Sequence, residues 1–206
     1  MQLDLARLAD HRPFDIARED GDWAAVLVPV IERDEPHILF TERSPDLTAH
    51  AGEMAFPGGG YEDVDGDLEA TALREASEEV GLRREEAEVL ARLDDVPGPY
   101  GHVVRPYVAR VADRTYHPDE YEVVEVVTLP VRGLTDPTNY SVEERTTPEG
   151  RTVGLPFFRV DGRVVWGLTG FVLLRFLSIV TDWEPPGGMP YHPLMEDEEQ
   201  WVDEEE

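Results

Sequence analysis

Residues 56–82 read FPGGGYEDVDGDLEATALREASEEVGL, and this stretch decides both the fold class and the candidate chemistry. Apolar residues recur at every fourth position from Leu68 to Val80, which predicts an amphipathic helix over these residues. Gly81 follows directly and is the kind of residue that ends a helix. The glycine- and proline-rich segment before the helix predicts a loop. Because glycines let the backbone approach a ligand closely, such a loop feeding a helix is typical of a pyrophosphate site.

The predicted helix carries three carboxylates on one face. Glu75 and Glu79 are four positions apart, and Glu75 and Glu78 are three apart, so all of them project from the same side. Like charges this close repel, and a hard divalent cation such as Mg²⁺ offsets the repulsion because it prefers carboxylate oxygens. The alternative interpretation is a solvated acidic face on a very acidic protein. The glycine loop, the carboxylates and Arg74 within one short span favour the metal-binding interpretation.

The rest of the chain predicts a sandwich of helices around a mixed sheet. Residues 44–67 are predicted to form a loop, and the residues from 184 onward, rich in proline, glycine and acids, an acidic and loose tail. A single domain is therefore expected over residues 1–183, with the fold class α/β and a mixed β-sheet between helices in an α/β/α sandwich. Strands are predicted at residues 23–31, 37–43, 87–93, 102–112 and 123–129, a hairpin at 157–166 with Asp161-Gly162 as its turn, and helices at 3–9 and 168–181.

The composition excludes several classes of protein. The 206 residues include 45 acidic and 18 basic side chains, for a net charge of −27, and every basic residue is arginine. A chain this acidic is unsuited to the phosphates of nucleic acids and to anionic membranes, so neither is expected as a partner. The absence of cysteine removes disulfides, zinc–thiolate sites and cysteine catalysis from consideration.

The composition of the chain, acidic and without lysine, resembles that of proteins from salt-accumulating halophiles. Self-repulsion destabilises so charged a domain unless ions screen it, and at 1 M salt the screening length falls to about 3 Å. The longest apolar run, residues 167–180, is shorter than the roughly 20 residues that cross a bilayer. Residues 1–20 contain no apolar core of a signal peptide, so a cytoplasmic location is expected.

The helix and its loop resemble the Nudix box, the signature of the Nudix hydrolases. The second half of the box, Arg-Glu-hydrophobic-x-Glu-Glu-x-Gly-hydrophobic, matches at every fixed position from Arg74 to Leu82. In the first half, Gly60 matches the box glycine, but Gly66 stands where the family has Glu. That Glu typically orients the box arginine in the family, and Asp65 is the candidate replacement here.

Motifs on both sides of the box are similar to those of the coenzyme A pyrophosphatases within the Nudix family. They are residues 39–44 (LFTERS), 56–59 (FPGG), 122–125 (EVVE) followed by Leu129-Pro130, and 166–169 (WGLT). In that subgroup Asp also replaces the first box Glu with the same displaced spacing. Thr48 departs from the subgroup signature, which has Arg at this position.

The resemblance implies a role for each matching carboxylate. Glu75 and Glu79 are expected as direct ligands of Mg²⁺ or Mn²⁺. Glu78 is expected as a third ligand or as the group that takes a proton from the attacking water. Arg74 is expected to hold Glu75 or Glu78 in place, and Glu125 is a further candidate for the base.

Three residues are expected to lie against the substrate. Arg43 can bind phosphate oxygens through two parallel hydrogen bonds, with an exposed arginine at a strand end as the alternative. Gly58 and Gly59 bring the backbone close to the diphosphate. A backbone carbonyl near Gly59 or Gly60 would complete the metal shell.

The function that follows is Mg²⁺-dependent hydrolysis of a nucleoside diphosphate linked to another moiety. Coenzyme A or a derivative is the leading substrate, with adenosine 3′,5′-bisphosphate and 4′-phosphopantetheine as products. ADP-ribose, a dinucleotide or an oxidised nucleotide is the alternative substrate. Two other classes stay open, a non-catalytic Nudix-fold binding module and an acidic domain that only binds cations. A homodimer is also left open.

Overall fold

Eleven β-strands and three α-helices make up the described part of the chain, residues 3–17, 22–44, 52–98, 102–119, 122–146 and 152–190 of a computed structural model. The strands are β1 (Trp23–Ile31), β2 (His37–Arg43), β3 (Met54–Ala55), β4 (Gly58–Gly60), β5 (Ala87–Arg92), β6 (Val96–Pro97), β7 (Val103–Val111), β8 (Val123–Pro130), β9 (Tyr140–Thr146), β10 (Thr152–Val160) and β11 (Arg163–Trp166). The helices are α1 (Leu68–Val80), α2 (Val131–Leu134) and α3 (Gly167–Val180), and short 3₁₀ helices lie at Leu5–Asp10 and Arg84–Glu86.

The larger sheet has eight strands in mixed orientation. Its main order is β3-β2-β1-β7-β5, and β1 and β7 run parallel, with Ala25 opposite Arg105. β4 pairs with the first half of β1, β6 pairs with β7, and β8 pairs with β2. β9, β10 and β11 form a second, antiparallel sheet.

Strand β1 lies at the centre of the larger sheet and separates two apolar cores. Because successive side chains of a strand point to opposite faces, Leu27 packs with Ala76 beneath α1, whereas Val28 packs into the core on the other face. That second core is covered by α3 and the three-stranded sheet, and Phe158 and Phe176 are fully buried in it. The layers therefore confirm the predicted fold class, an α/β sandwich with a mixed sheet between helices.

The predicted elements agree best where the apolar patterning is strong. Strands β1 and β2 and helix α1 have the predicted bounds. The hairpin turn is also confirmed, because Val160 pairs with Arg163 and both turn residues are left-handed, with φ of 51° at Asp161 and 79° at Gly162.

Other predictions were wrong in detail. Residues 44–67 were predicted as a loop, but β3 and β4 lie within this segment. β4 consists of three glycines, which carry no side-chain pattern, and it becomes a strand because it pairs with β1. The segment predicted as a helix at 3–9 is the 3₁₀ helix Leu5–Asp10. Strand β9, which is largely polar, and the short helix α2 were not predicted.

The chain ahead of β1 is bound along the turn between β5 and β6, and residues 11–16 are called the N-terminal strap here. Phe14 N donates to Asp94 Oδ1 at 2.8 Å, and Ile16 N donates to Asp95 Oδ2 at 3.0 Å. In return, Asp95 N donates to the Phe14 carbonyl at 3.0 Å. Arg105 binds both carboxylate oxygens of Asp95 at 2.7 Å each, so each oxygen of this fully buried acid has a hydrogen-bond donor.

The segment after α3 packs back onto the core. Trp183 is buried, and its ring lies 5.3 Å from that of Tyr140, in an edge-to-face arrangement. The predicted tail, 184–206, lies outside the described residues from 191 onward. Within the described ranges, no helix is long and apolar enough to cross a membrane.

Candidate active site

Helix α1 is fixed at both ends by its own sequence. Asp67 caps the N-terminus, where its Oδ1 accepts a hydrogen bond from Ala70 N at 2.8 Å. At the C-terminus, Gly81 adopts the left-handed conformation with φ of 65°, and its N–H returns to the Ser77 carbonyl. The apolar stripe around Ala76 binds the helix to the sheet, and the carboxylate face beside it meets strand β4.

The glycines of β4 let the backbone pass between β1 and the carboxylates of α1. Gly58 N donates to Glu79 Oε2 at 3.2 Å. A Cβ atom on Gly59 would lie 2.4 Å from Glu75 Oε1, and one on Gly58 would lie 2.4 Å from the Ala25 carbonyl oxygen. Real Cβ atoms do not approach other heavy atoms this closely, so the rigid backbone of β1 leaves no room for a side chain at Gly58, and a side chain at Gly59 would displace the Glu75 carboxylate.

Arg74 connects the loop to the helix carboxylates. Its Nε and Nη2 donate to the two oxygens of Asp65 at 2.6 and 3.1 Å, and Nη2 also donates to the Gly60 carbonyl at 3.0 Å. Its Nη1 donates to Glu75 Oε1 and to Glu78 Oε2, each at 3.0 Å. The expected contacts of Arg74 with Glu75 and Glu78 are thus both present in the structure.

Asp65 is the acid that meets the box arginine. Besides Arg74, its Oδ2 accepts from Thr71 Oγ1 at 2.8 Å and from Glu62 N at 2.9 Å. Hydrogen bonding by Arg74 holds the pKa of Asp65 well below its ordinary value, even though its side chain is almost fully buried. Gly66 has φ of 80°, and this left-handed turn carries the chain from Asp65 to the cap of α1.

The pKa values of two carboxylates of the site are raised. Burial raises the pKa of Glu79 to about 8, although the bond from Gly58 N works in the opposite direction. Burial also raises the pKa of Glu75, against the attraction of Arg74. Repulsion between Glu75 and Glu79 adds to the rise at Glu79, and the charge of Glu122 adds to it at both. Such clustering of perturbed acids is characteristic of functional sites.

The structure brings Glu122, rather than Glu125, to the carboxylates of α1. The Glu122 carbonyl accepts from Ser44 N at 2.8 Å, which ties it to the end of β2. Glu125 in β8 lies opposite Glu42 in β2. Glu42 is on the same sheet face as Phe40, so both glutamates point toward the α3 side of the sheet. There Glu125 binds Arg163 at 2.5 Å, on the opposite face of the sheet from α1. The structure thus separates the predicted base Glu125 from Glu75 and Glu79.

Arg43 lies near the buried acids with donor capacity to spare. Its positive charge opposes the rise of the pKa of Glu79, which places the guanidinium within electrostatic reach of that carboxylate. Its Nε is buried and has no hydrogen-bond acceptor among the described residues. A buried donor without an acceptor costs free energy, so an anionic ligand at this point would be stabilised.

The donor set fits a hard divalent cation. Carboxylates outnumber guanidinium groups here, because Arg74 and Arg43 face Asp65, Glu75, Glu78, Glu79 and Glu122. Oxygen ligands of this kind are those that Mg²⁺ and Mn²⁺ prefer. Within the described part of the chain, no three acidic or histidine side chains already converge as a metal site. Arg74 Nη1 occupies one oxygen of Glu75 and one of Glu78, which leaves the second oxygen of each carboxylate for a cation. Thr48 lies outside the described residues.

Comparison with known proteins identifies the family. The NUDIX domain model matches residues 22–150. The chain is 37% identical to the uncharacterised Nudix hydrolase NudL of Pectobacterium atrosepticum over 161 residues, 77% of this chain and 83% of the relative. It is 36% identical to NudL of Yersinia enterocolitica over 159 residues, 76% of this chain and 80% of the relative. A MutT/nudix family protein from Enterococcus faecalis superposes with a TM-score of 0.48 at 18% identity, covering 79% of this chain and 56% of the other.

The chain therefore belongs to the Nudix family, and its relatives at 36–37% identity are named as Nudix hydrolases. The matched region begins at residue 22, so the N-terminal strap lies outside the family model.

Proposed function

We propose that this Nudix hydrolase cleaves the pyrophosphate bond of a nucleoside diphosphate linked to another moiety, with coenzyme A or a derivative as its substrate. One observation carries the proposal: Glu75 and Glu79, both with raised pKa values, are pressed against the backbone of β4. Carboxylates with raised pKa values cluster at functional sites, which supports a role for these two in binding a ligand. The products from coenzyme A would be adenosine 3′,5′-bisphosphate and 4′-phosphopantetheine.

Glu75 and Glu79 are the proposed ligands of Mg²⁺ or Mn²⁺. When bound, the cation lowers the pKa of a water and screens the charge of the diphosphate. Glu78 is the proposed third ligand or general base, and its exposure leaves it accessible to water. Glu122 joins these candidates because its charge acts on both Glu75 and Glu79.

Arg43, Gly58 and Gly59 are proposed to bind the substrate. The Nε of Arg43, which has no acceptor within the described ranges, supplies a donor for a phosphate oxygen, and the positive charge of Arg43 opposes repulsion between the substrate and the buried acids. Gly58 and Gly59 are proposed to meet the diphosphate through their backbone, since the space on the Cβ side of these residues is taken up by Ala25 and by the Glu75 carboxylate.

The choice of coenzyme A rests on the motifs that flank the box. Residues 39–44 include Arg43, and residues 122–125 include Glu122, so two of these motifs contribute residues to the site. The alternative substrates are ADP-ribose, dinucleotides and oxidised nucleotides. A non-catalytic binding module is disfavoured because Glu75, Glu78 and Glu79 are all present.

A substrate panel tests the proposal. The full chain, in about 2 M KCl to screen its charge, is supplied with Mg²⁺ and with coenzyme A, dephospho-coenzyme A, ADP-ribose, a dinucleotide or an oxidised nucleotide. We expect coenzyme A to give the highest kcat/KM, and the Glu79→Gln variant to lose at least about tenfold in kcat while staying folded. Faster turnover of another compound would replace coenzyme A as the substrate. Cation binding without any turnover would indicate the acidic cation-binding domain.

The remaining predictions concern partners and location. The net charge of −27 continues to argue against nucleic-acid and membrane partners, and we propose a cytoplasmic location. Light scattering at high salt would decide between a monomer and a homodimer.

A further inference from the structure

The segment from Arg114 to Asp119 closes over the C-terminal end of α1. The last carbonyls of a helix have no partner within the helix and need donors from elsewhere. Here Asp119 N donates to the Glu79 carbonyl at 2.9 Å, and Arg114 Nη2 donates to the Gly81 carbonyl at 2.7 Å. Residues 114–119 are called the C-terminal clamp below.

Arg114 is the side chain that holds the clamp in place. It forms a two-point pair with Glu86, with Nε to Oε1 at 3.0 Å and Nη2 to Oε2 at 2.7 Å. Its guanidinium carbon lies 4.1 Å from the centre of the Tyr116 ring. Tyr116 is itself buried in the core beneath α1, the core that also contains Val80. Arg114 therefore contacts the end of α1 through the Gly81 carbonyl, the following 3₁₀ helix through Glu86, and the rest of the clamp through the ring of Tyr116.

Backbone hydrogen bonds join the clamp to the start of β8, next to Glu122. Val123 N donates to the Asp119 carbonyl at 3.0 Å, and Ser44 N donates to the Glu122 carbonyl at 2.8 Å. Asp119 is bound at the same time to the backbone of Glu79. The backbone that carries Glu122 is thus fixed to the backbone that carries Glu79, and the Glu122 charge acts on the Glu79 carboxylate.

We propose that Arg114 is a positioning residue that sets the place of Glu122 relative to Glu79, and thereby the affinity of the site for its divalent cation. Arg114 acts through the backbone of α1 and the clamp and does not itself touch substrate or cation. This inference rests on the proposed function, because it assumes that the carboxylates around Glu79 bind a cation.

Manganese binding to the full chain tests this inference without relying on turnover. Free Mn²⁺ is measured by electron paramagnetic resonance during titration of the wild type, Arg114→Ala and Arg83→Ala. Arg83 is the matched control, because it also pairs with Glu86 but makes no contact with the Gly81 carbonyl. We expect the Mn²⁺ dissociation constant to rise about tenfold in Arg114→Ala and to change less than about twofold in Arg83→Ala.

A double-mutant cycle with Glu122→Gln separates positioning from general destabilisation. If Arg114 acts through Glu122, adding Arg114→Ala to Glu122→Gln should weaken Mn²⁺ binding by less than about twofold more. The proposal would be overturned if the fold-changes in the Mn²⁺ dissociation constant of the two single variants multiply in the double variant. Unchanged Mn²⁺ affinity in a folded Arg114 variant would also overturn it. Should Arg114→Ala unfold in a thermal melt, Arg114→Met, which keeps an apolar stem over Tyr116 but removes the donors to Gly81 and Glu86, takes its place in both comparisons. A wild type that binds no Mn²⁺ would overturn the proposed function itself, and this inference with it.

Discussion

The pair formed by Arg74 and Asp65 shows how a single residue can replace a missing one in a signature. The aspartate side chain is 2% exposed and binds the guanidinium at two points, so removing its charge leaves Arg74 with an incomplete shell. We expect Asp65→Asn to lower the free energy of unfolding by about 3 kcal/mol and kcat by at least about tenfold. Denaturant melts and steady-state kinetics measure both. Asp63→Asn, at an exposed neighbouring position, is the control. Equal behaviour of the two variants would contradict the assigned role of Asp65.

The three glycines of β4 are expected to respond differently to alanine. In Gly59→Ala the new Cβ would meet the Glu75 carboxylate, which can swing away, so the melting temperature should stay near that of the wild type while activity falls. In Gly58→Ala the Cβ would meet the rigid backbone of Ala25, so stability itself should fall. Gly60→Ala has open space and should resemble the wild type in both measurements. Full activity in Gly59→Ala would show that the position of Glu75 is not critical.

The raised pKa of Glu79 predicts a dependence of stability on pH in the metal-free chain. The group has an ordinary pKa of 4.5 and a pKa of about 8 in the folded state, so between these values the unfolded chain ionises before the folded one. The contribution of Glu79 to stability is therefore complete below pH 4.5 and is lost as the pH rises toward 8. Melting temperatures at intervals over this window, measured with a chelator, should fall more steeply in the wild type than in Glu79→Gln. Parallel curves would refute the assignment.

At the scale of elements, the N-terminal strap depends on a buried acid. Asp95 is fully buried and accepts bonds from Ile16 N and Arg105, whereas Asp15 binds Arg105 and Arg92 from a largely exposed position. We expect Asp95→Ala to lower the free energy of unfolding by about 3 kcal/mol, and Asp15→Ala by less than about 1 kcal/mol. Urea melts of the two variants provide the comparison. A cost for Asp15→Ala as large as that for Asp95→Ala would show that burial does not decide the strength of these pairs.

Elements that bury a regular apolar pattern could be predicted from the sequence. Elements that form only because they pair with another strand could not. α1 has both a stripe and caps in its own residues, and β1 has a long apolar run. β4 has no side chains, so only its pairing with β1 makes it a strand. The same limit applies to the site. Asp65 and Arg74 are local in sequence and could be paired in advance, whereas Glu122 and Glu125 lie in one run, and only the strand pairing shows which of them meets α1.

At the scale of the whole molecule, the net charge of −27 predicts a requirement for salt. Many described arginines bind carboxylates, among them Arg110 with Glu32 and Glu88, and 45 acids against 18 arginines leave a large excess of negative charge. We expect the melting temperature to be far higher in about 2 M KCl than in about 0.1 M, because the screening length falls to a few ångströms. Equal melting temperatures in the two solutions would refute this expectation.

The left-handed turn at Gly66 has a consequence for how relatives of this chain are found. A search pattern that demands glutamate at a fixed interval before the arginine would reject the chain, since that position holds the glycine of the turn. A three-dimensional template asks only whether some acid reaches the guanidinium, and it would accept Asp65. Genome surveys that rely on rigid spacing would therefore undercount enzymes in which the loop has shifted by one residue and the geometry has stayed the same.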